Sequence, residues 1–241
     1  MIYVSSACIK KNRISDIIRE YVECGIRNIE LSGGTEYYDE LVSDLIFLKE
    51  RYNLNYIFHA YFPPPKEDFV INLASCNDAI YEKSISHYMN CIEIMKQVGC
   101  NILSIHAGFL VEINTDEIGK KLSKTIVYNR NYAMERFCKA YEKIKKECDK
   151  NQICLYLENN VLSSANYEAF GKKDLLMMTN YETFIELKQR LDFDLLLDLG
   201  HLHVSANTIG LDFQRECNMF VPYVKCLHIS DNNGIVDEHK P

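Results

Sequence analysis

The sequence predicts an α/β protein of the (β/α)8 TIM barrel class, and three observations point there. Short β-branched or apolar runs alternate with longer segments of helical period, the pattern of repeated strand–helix units on a parallel sheet. The chain has 241 residues, 47% hydrophobic and 25% charged, enough to bury one large core. Histidines and carboxylates recur at the ends of the strand-like runs, the level at which such a barrel builds its site.

The first strand is read at 2–6, and a helix follows over 13–24, where Ile14, Ile17, Ile18, Tyr21 and Val22 make one apolar stripe. Gly25 stands where that helix should stop, suited to a left-handed cap before the next strand. The second unit pairs a strand at 28–32 with a helix at 39–51. A third strand at 56–61 leads into residues 62–75, which hold Pro63, Pro64 and Pro65, and then into a helix over 81–98 that ends before Gly99. Strand 102–107 and helix 128–148 make the fourth unit. The fifth strand, 153–159, is followed by a second long interruption at 162–179 and a helix at 181–191. Strands at 195–200 and 224–230 complete the set of seven. Both interruptions follow strand C-termini, where barrel loops carry function, although a plain surface insertion has the same signature. The chain reaches Pro241 before an eighth strand. It therefore reads as one barrel domain over 1–241, shortened at its C-terminal end, because an open barrel would leave two parallel edges unpaired.

Composition narrows the function classes. No run of eighteen uncharged apolar residues exists, and the start MIYVSSACIKK lacks a basic region followed by a cleavage site, so a cytoplasmic protein without membrane contact is expected. Ten cysteines are scattered without CxxC pairs, which reads as reduced, buried thiols rather than a disulfide framework. A net charge of −7 supplies no long-range attraction for a polyanion, though a local basic patch stays open.

Of seven histidines, His59, His106, His201 and His228 fall at or just past a strand end and His239 in the last loop, whereas His87 sits mid-helix and His203 is ambiguous. One histidine at a strand end is usually structural; five on one face of a parallel barrel meet within ligand distance. Glu30, Glu158, Asp198, Asp231 and Asp237 stand at the same level. A carboxylate beside LYL or LLL is costly to bury unpaired, and a divalent cation offsets that cost. Imidazole with carboxylate suits Zn²⁺, Mn²⁺, Fe²⁺ or Co²⁺, one to three ions per chain. Glu30 reads instead as a salt-bridged structural carboxylate.

The segments FHA at 58–60, INLAS at 71–75, YEKSI at 81–85, IHAG at 105–108, LENN at 157–160, DLGH at 198–201, HISDN at 228–232 and DEH at 237–239 resemble, in that order, the endonuclease IV family of apurinic endonucleases and, more broadly, the xylose-isomerase-like barrel superfamily. The resemblance implies one metal site at His59, His106 and Glu158, a second at Glu158, Asp198 and His228, and a third at His201, Asp237 and His239. In the epimerase branch, Glu158, Asp198, His228 and a glutamate on the eighth strand are needed, and that glutamate is not in this chain.

Two function classes follow. The first is a metal-dependent isomerase or epimerase of a sugar or sugar phosphate, in which Glu158 and His228 carry the chemistry and Lys66, Asn159, Asn160 and Asn232 bind substrate. The alternative is a metal-dependent phosphodiesterase on abasic DNA. The ligand count favours the alternative; the acidic surface and the few loop cations, Lys66, Lys172 and Lys173 among them, argue against nucleic acid. A barrel that only binds or assembles is disfavoured by the retained ligand set. Oligomeric state has no signature in the sequence.

Overall fold

The computed structural model describes residues 1–117, 120–123 and 125–237; His239 lies outside the described residues. Seven strands are ordered β1-β2-β3-β4-β5-β6-β7 in one sheet. They are β1 (Val4–Ser5), β2 (Asn28–Leu31), β3 (Asn55–His59), β4 (Ile102–His106), β5 (Cys154–Glu158), β6 (Asp194–Asp198) and β7 (Val224–His228). The pairings of β1 with β2, β2 with β3, β3 with β4, β5 with β6 and β6 with β7 are parallel. The helices are α1 (Ile14–Glu23), α2 (Leu41–Tyr52), α3 (Asp78–Val98), α4 (Arg130–Lys150), α5 (Ser164–Ala169), α6 (Tyr181–Lys188), α7 (Leu199–Ile209) and α8 (Phe213–Phe220). By contacts the chain divides into two compact units.

The first unit comprises Met1–Asp68, Ser86–Ser104 and Ile144–Leu155. Val22 of the predicted α1 stripe is half-buried, and its other four residues form the buried face: Ile14, Ile17, Ile18 and Tyr21 are buried, as are Ile29 and Leu31 of β2 and Leu41, Leu45 and Leu48 of α2. Each such side chain contributes about 1.5–3 kcal/mol relative to exposure. The helix stops follow from backbone chemistry. Gly25 adopts φ +81° after α1, and Asn53, the other residue type that tolerates the left-handed region, caps α2 at φ +52°. Lys49 of α2 donates to the carbonyls of Val98 at 2.8 Å and Gly99 at 2.6 Å, satisfying the end of α3.

The second unit comprises Phe69–Ile85, Ile105–Lys143 and Tyr156–Pro241. Phe184 is its aromatic hub, with ring centroids 5.0 Å from Tyr223, 5.1 Å from Phe220 and 5.8 Å from Phe193. Asn180 and Thr183 start α6 with a reciprocal capping box, and the buried Glu216 of α8 accepts the Tyr181 N–H at 2.8 Å.

Three expectations are corrected. The sixth strand, expected over 195–200, ends at Asp198, because Asp198 turns its side chain back to accept the His201 N–H at 2.7 Å and starts α7. The 162–179 interruption contains α5, capped by Ser163. Helices α7 and α8 occupy a stretch where no helix was expected. All ten cysteines are free thiols, as expected, but the expectation that they are buried holds only for Cys91, Cys100 and Cys148, and Cys8, Cys24 and Cys154 are exposed. Among the described residues no helix is long and apolar enough to cross a membrane.

Candidate metal centre

The centre is built at the ends of β4, β5, β6 and β7 within the second unit. Period-two alternation turns Glu158, Asp198 and His228, each the last residue of its strand, to one side. Parallel register then sets Asp198 directly opposite His228. Strand β5 is tied to β4 where the Ala107 N–H donates to the Glu158 carbonyl at 3.1 Å, which brings His106 alongside.

Glu158 and Asp198 are each 1% exposed. His228 Nδ1 lies 3.2 Å from Glu158 Oε1 and 3.8 Å from Asp198 Oδ2. One donor atom from each of the three falls within 4.8 Å of the others. Around this triad, His106 Nδ1 stands 3.9 Å from Glu158 Oε2, His201 Nδ1 3.5 Å from Glu158 Oε1, and His201 Nε2 3.3 Å from Asp237 Oδ2. The rings of His106 and His201 are 5.8 Å apart. Burial alone disfavours the imidazolium of His201, but Asp198, a hydrogen bond to Asp237 and the charge of Glu158 outweigh it and push that ring up to about 10.

The donor set fits a divalent ion. Two buried carboxylates beside imidazole nitrogens are the mixed oxygen and nitrogen ligands of Zn²⁺, Mn²⁺, Fe²⁺ or Co²⁺. Like charges at this spacing repel unless a cation stands among them.

The remaining candidates read from the sequence have the following surroundings. His59 ends β3 in the first unit, half-buried, with Nδ1 2.8 Å from the hydroxyl of Ser104, its register partner. Glu30, expected in a salt bridge, is buried and accepts from the Ser32 hydroxyl at 3.2 Å. His87 is buried mid-helix in α3. Asp231 is exposed.

Two of the four residues expected to bind substrate, Asn159 and Asn160, hold backbone groups. The amide of Asn159 bonds to the backbone of Asp198, and that of Asn160 donates to the carbonyls of Ala107 at 3.0 Å, Gly108 at 3.3 Å and Met177 at 2.9 Å. Neither has solvent-facing surface to offer a ligand, since they are 0% and 4% exposed. Lys66 is an exposed first-unit residue whose ammonium lies 4.6 Å from the centre of the Tyr37 ring. Asn232 Oδ1 accepts the Gly234 N–H at 2.8 Å and lies 3.1 Å from His203 Nδ1.

Sequence reasoning missed the latch this last contact belongs to. Asn207 of α7 donates to the Gly234 carbonyl at 3.0 Å, and with His203 it fastens the segment that brings Asp237 to His201.

Strand order and a carboxylate–imidazole cluster at strand ends together define a (β/α)-barrel protein with a candidate metal centre. The chain belongs to the xylose isomerase-like TIM barrel family, which it matches over residues 18–241. No curated protein matches it. Among solved structures it is similar to a D-tagatose 3-epimerase-like protein, at 17% identity and a TM-score of 0.70 over 98% of this chain and 78% of that one. It is similar to endonuclease IV from Thermus thermophilus at 15% identity and 0.57, over 99% and 80%. It is also similar to D-psicose 3-epimerase from Clostridium cellulolyticum at 14% and 0.61, over 92% and 69%. At such identities these likenesses bear on the fold.

Proposed function

We propose that the protein is a divalent-metal-dependent isomerase or epimerase that moves a proton at the carbon α to the carbonyl of a small sugar or sugar phosphate. The observation that carries the reading is the triad of Glu158, Asp198 and His228, with donor atoms within 4.8 Å and both carboxylates buried. The epimerases among the similar structures support the substrate class.

A bound divalent ion supplies Lewis-acid polarisation of the substrate carbonyl. Asp198 and His228 would hold it, with Glu158 as a third ligand. Glu158 also takes the α-proton as the C–H electron pair moves onto the carbonyl oxygen, and isomerisation closes when the same carboxyl returns that proton to the neighbouring carbon. Glu158 Oε1 lies 3.2 Å from His228 Nδ1 and 3.5 Å from His201 Nδ1, and Oε2, on the His106 side, is the atom that receives the proton. His201 is fixed at both nitrogens, Nδ1 toward the Asn159 carbonyl at 2.9 Å and Nε2 toward Asp237, so it serves as a stationary charge beside the carboxylates.

A second reading, phosphodiester hydrolysis on abasic DNA, draws on the extra imidazoles and Asp237 around the triad. Against it stands the net charge of −7, since affinity for duplex DNA rests on several cations facing the phosphates. Metal analysis of the purified protein, solvent deuterium exchange into a panel of ketoses and aldoses, and an abasic-duplex nicking assay separate the two. Exchange without nicking is expected with Mn²⁺, Co²⁺ or Zn²⁺. Efficient nicking lost in Glu158→Gln would transfer the assignment to the phosphodiesterase.

A further inference from the structure

Asn159 follows Glu158 directly, is fully buried, and spends its whole side chain on a neighbouring strand. Its Oδ1 accepts the Asp198 N–H at 2.7 Å and its Nδ2 donates to the Asp198 carbonyl at 3.1 Å. The β5–β6 register explains why an amide is needed there. Strand β5 ends at Glu158, opposite Leu196, so the peptide groups of Asp198, two residues further, have run past the β5 ladder. A side-chain amide, one donor and one acceptor in a plane, replaces the missing strand backbone.

We propose that Asn159 is the positioning residue of the metal centre, setting both the Asp198 carboxylate and the His201 ring. This rests on the metal reading above. With its peptide clamped, Asp198 divides its two oxygens: Oδ1 takes the His201 N–H as the cap of α7, and Oδ2 is left facing His228 Nδ1 at 3.8 Å and His201 Nε2 at 4.0 Å. The main chain of the same residue completes the arrangement. The Asn159 carbonyl receives His201 Nδ1 at 2.9 Å, which turns Nε2 toward Asp198 and Asp237. One asparagine thus orients groups from β6 and α7 while its predecessor supplies the ligand from β5. Partners of this kind fix ring orientation and carboxylate direction in metal sites.

Asn159→Asp separates positioning from bulk. It keeps the volume and the acceptor for the Asp198 N–H, but sets a carboxylate oxygen against the Asp198 carbonyl where a donor stood. The control is Asn72→Ala. Asn72 is also buried and clamps backbone in the same way, donating to the Phe109 carbonyl at 3.0 Å and accepting the N–H groups of Phe109 at 3.1 Å and Ala74 at 3.0 Å, none of them in the triad.

The experiment titrates Mn²⁺ into each purified protein and records the visible absorption of the Co²⁺ form. In Asn159→Asp the Mn²⁺ dissociation constant is expected to rise about 10- to 100-fold and the Co²⁺ bands to change. Asn72→Ala should lower the thermal midpoint yet keep wild-type metal affinity and bands. Folded Asn159→Asp that binds Mn²⁺ within twofold of wild type with unchanged bands overturns the proposal and leaves Asn159 a purely structural residue. Should that variant not fold, amide hydrogen exchange on the wild type decides: an Asp198 N–H that exchanges as fast as an open strand end overturns the clamp, and a protected one supports it. Wild-type protein that takes up neither ion sinks the metal reading and this role with it. Tight wild-type binding beside an indifferent variant sinks the role alone.

Discussion

The strand ends of the two units solve the same problem with different chemistry. In the first unit, polar side chains at the ends of β2 and β3 meet hydroxyls: Glu30 takes a hydrogen bond from Ser32, and His59 pairs with Ser104. In the second, at the ends of β5, β6 and β7, carboxylates meet imidazoles within 3.2 to 3.8 Å. A hydroxyl satisfies a lone pair and fixes a strand end without adding charge. Two carboxylates gathered around imidazoles leave net charge in a buried place, which a cation must balance. A carboxylate and an imidazole also meet in the first unit, where ligand atoms of Glu30 and His59 lie within 4.8 Å of one another, so what sets the second unit apart is its second buried carboxylate.

The largest contrast between the two units is expected at their glutamates. Glu158→Gln removes a ligand and the proposed proton acceptor, and should lower turnover by about 10²–10⁴-fold and weaken Mn²⁺ binding. Glu30→Gln keeps the acceptor for Ser32 and should leave both within a few-fold. Isotope-exchange rates and Mn²⁺ titrations of the two variants check this, and equal losses would place Glu30 in the centre as well.

Two buried histidines sharpen it through pH. Burial lowers His87, in the first unit, to about 4, below its ordinary 6.5, so it folds as the neutral ring. The unfolded chain then binds the extra proton. The associated stability is present above pH 6.5 and lost as pH falls toward 4, by about 3 kcal/mol at most. For His201 the sign reverses: raised to about 10 in the metal-free chain, it contributes stability fully below 6.5 that is lost as pH rises through 10. Urea midpoints of metal-free protein from pH 4 to 10 should fall on both limbs. His87→Leu should flatten the acid limb alone, and a flattened alkaline limb in that variant would contradict the assignment.

Next in size is a pair of glycines. Gly25 has φ +81° and open space around the position of a Cβ, so Gly25→Ala carries backbone strain only, about 1 kcal/mol. Gly234 has φ +70°, and a Cβ there would lie 2.2 Å from Asn207 Nδ2 and 2.8 Å from the His203 ring. Gly234→Ala should cost about 2 kcal/mol or more and loosen the segment carrying Asp237. Denaturation midpoints order the two variants, and equal losses would deny the latch.

The sequence showed the strands well because each is a short apolar run bounded by a turn signal or a polar residue, and the strand-end histidines and acids could be placed from that alone. It did not show where β6 stops. LLLDLGH continues apolar through Leu199, and only Asp198 read as a helix cap would have marked the change. Helix α7 escaped because Leu202, Val204, Ser205 and Ala206 are all buried, which leaves no one-sided stripe to detect. The four polar residues assigned to substrate illustrate a deeper limit. Asn159 and Asn160 are adjacent and chemically identical, yet one clamps Asp198 and the other Ala107, Gly108 and Met177. Their targets depend on where neighbouring strands end, which no local pattern encodes.

The smallest expected effect falls on His203, two residues from His201 on α7. Its Nδ1 lies 3.1 Å from Asn232 Oδ1, and its ring packs 4.9 Å from that of Phe213. Removing the ring leaves much of the latch in place, because Asn232 Oδ1 still accepts the Gly234 N–H and Asn207 still donates to the Gly234 carbonyl. The loss is one hydrogen bond to a half-buried side chain plus some packing, about 1 kcal/mol. The triad keeps its three donors, so His203→Ala should shift the Mn²⁺ dissociation constant less than threefold while lowering the thermal midpoint slightly. The same titration run on His201→Ala supplies the contrast, since that variant removes the charge facing Asp198, Asp237 and Glu158. A large loss of metal in His203→Ala would mean that the latch, and not only the strand ends, sets the geometry of the centre.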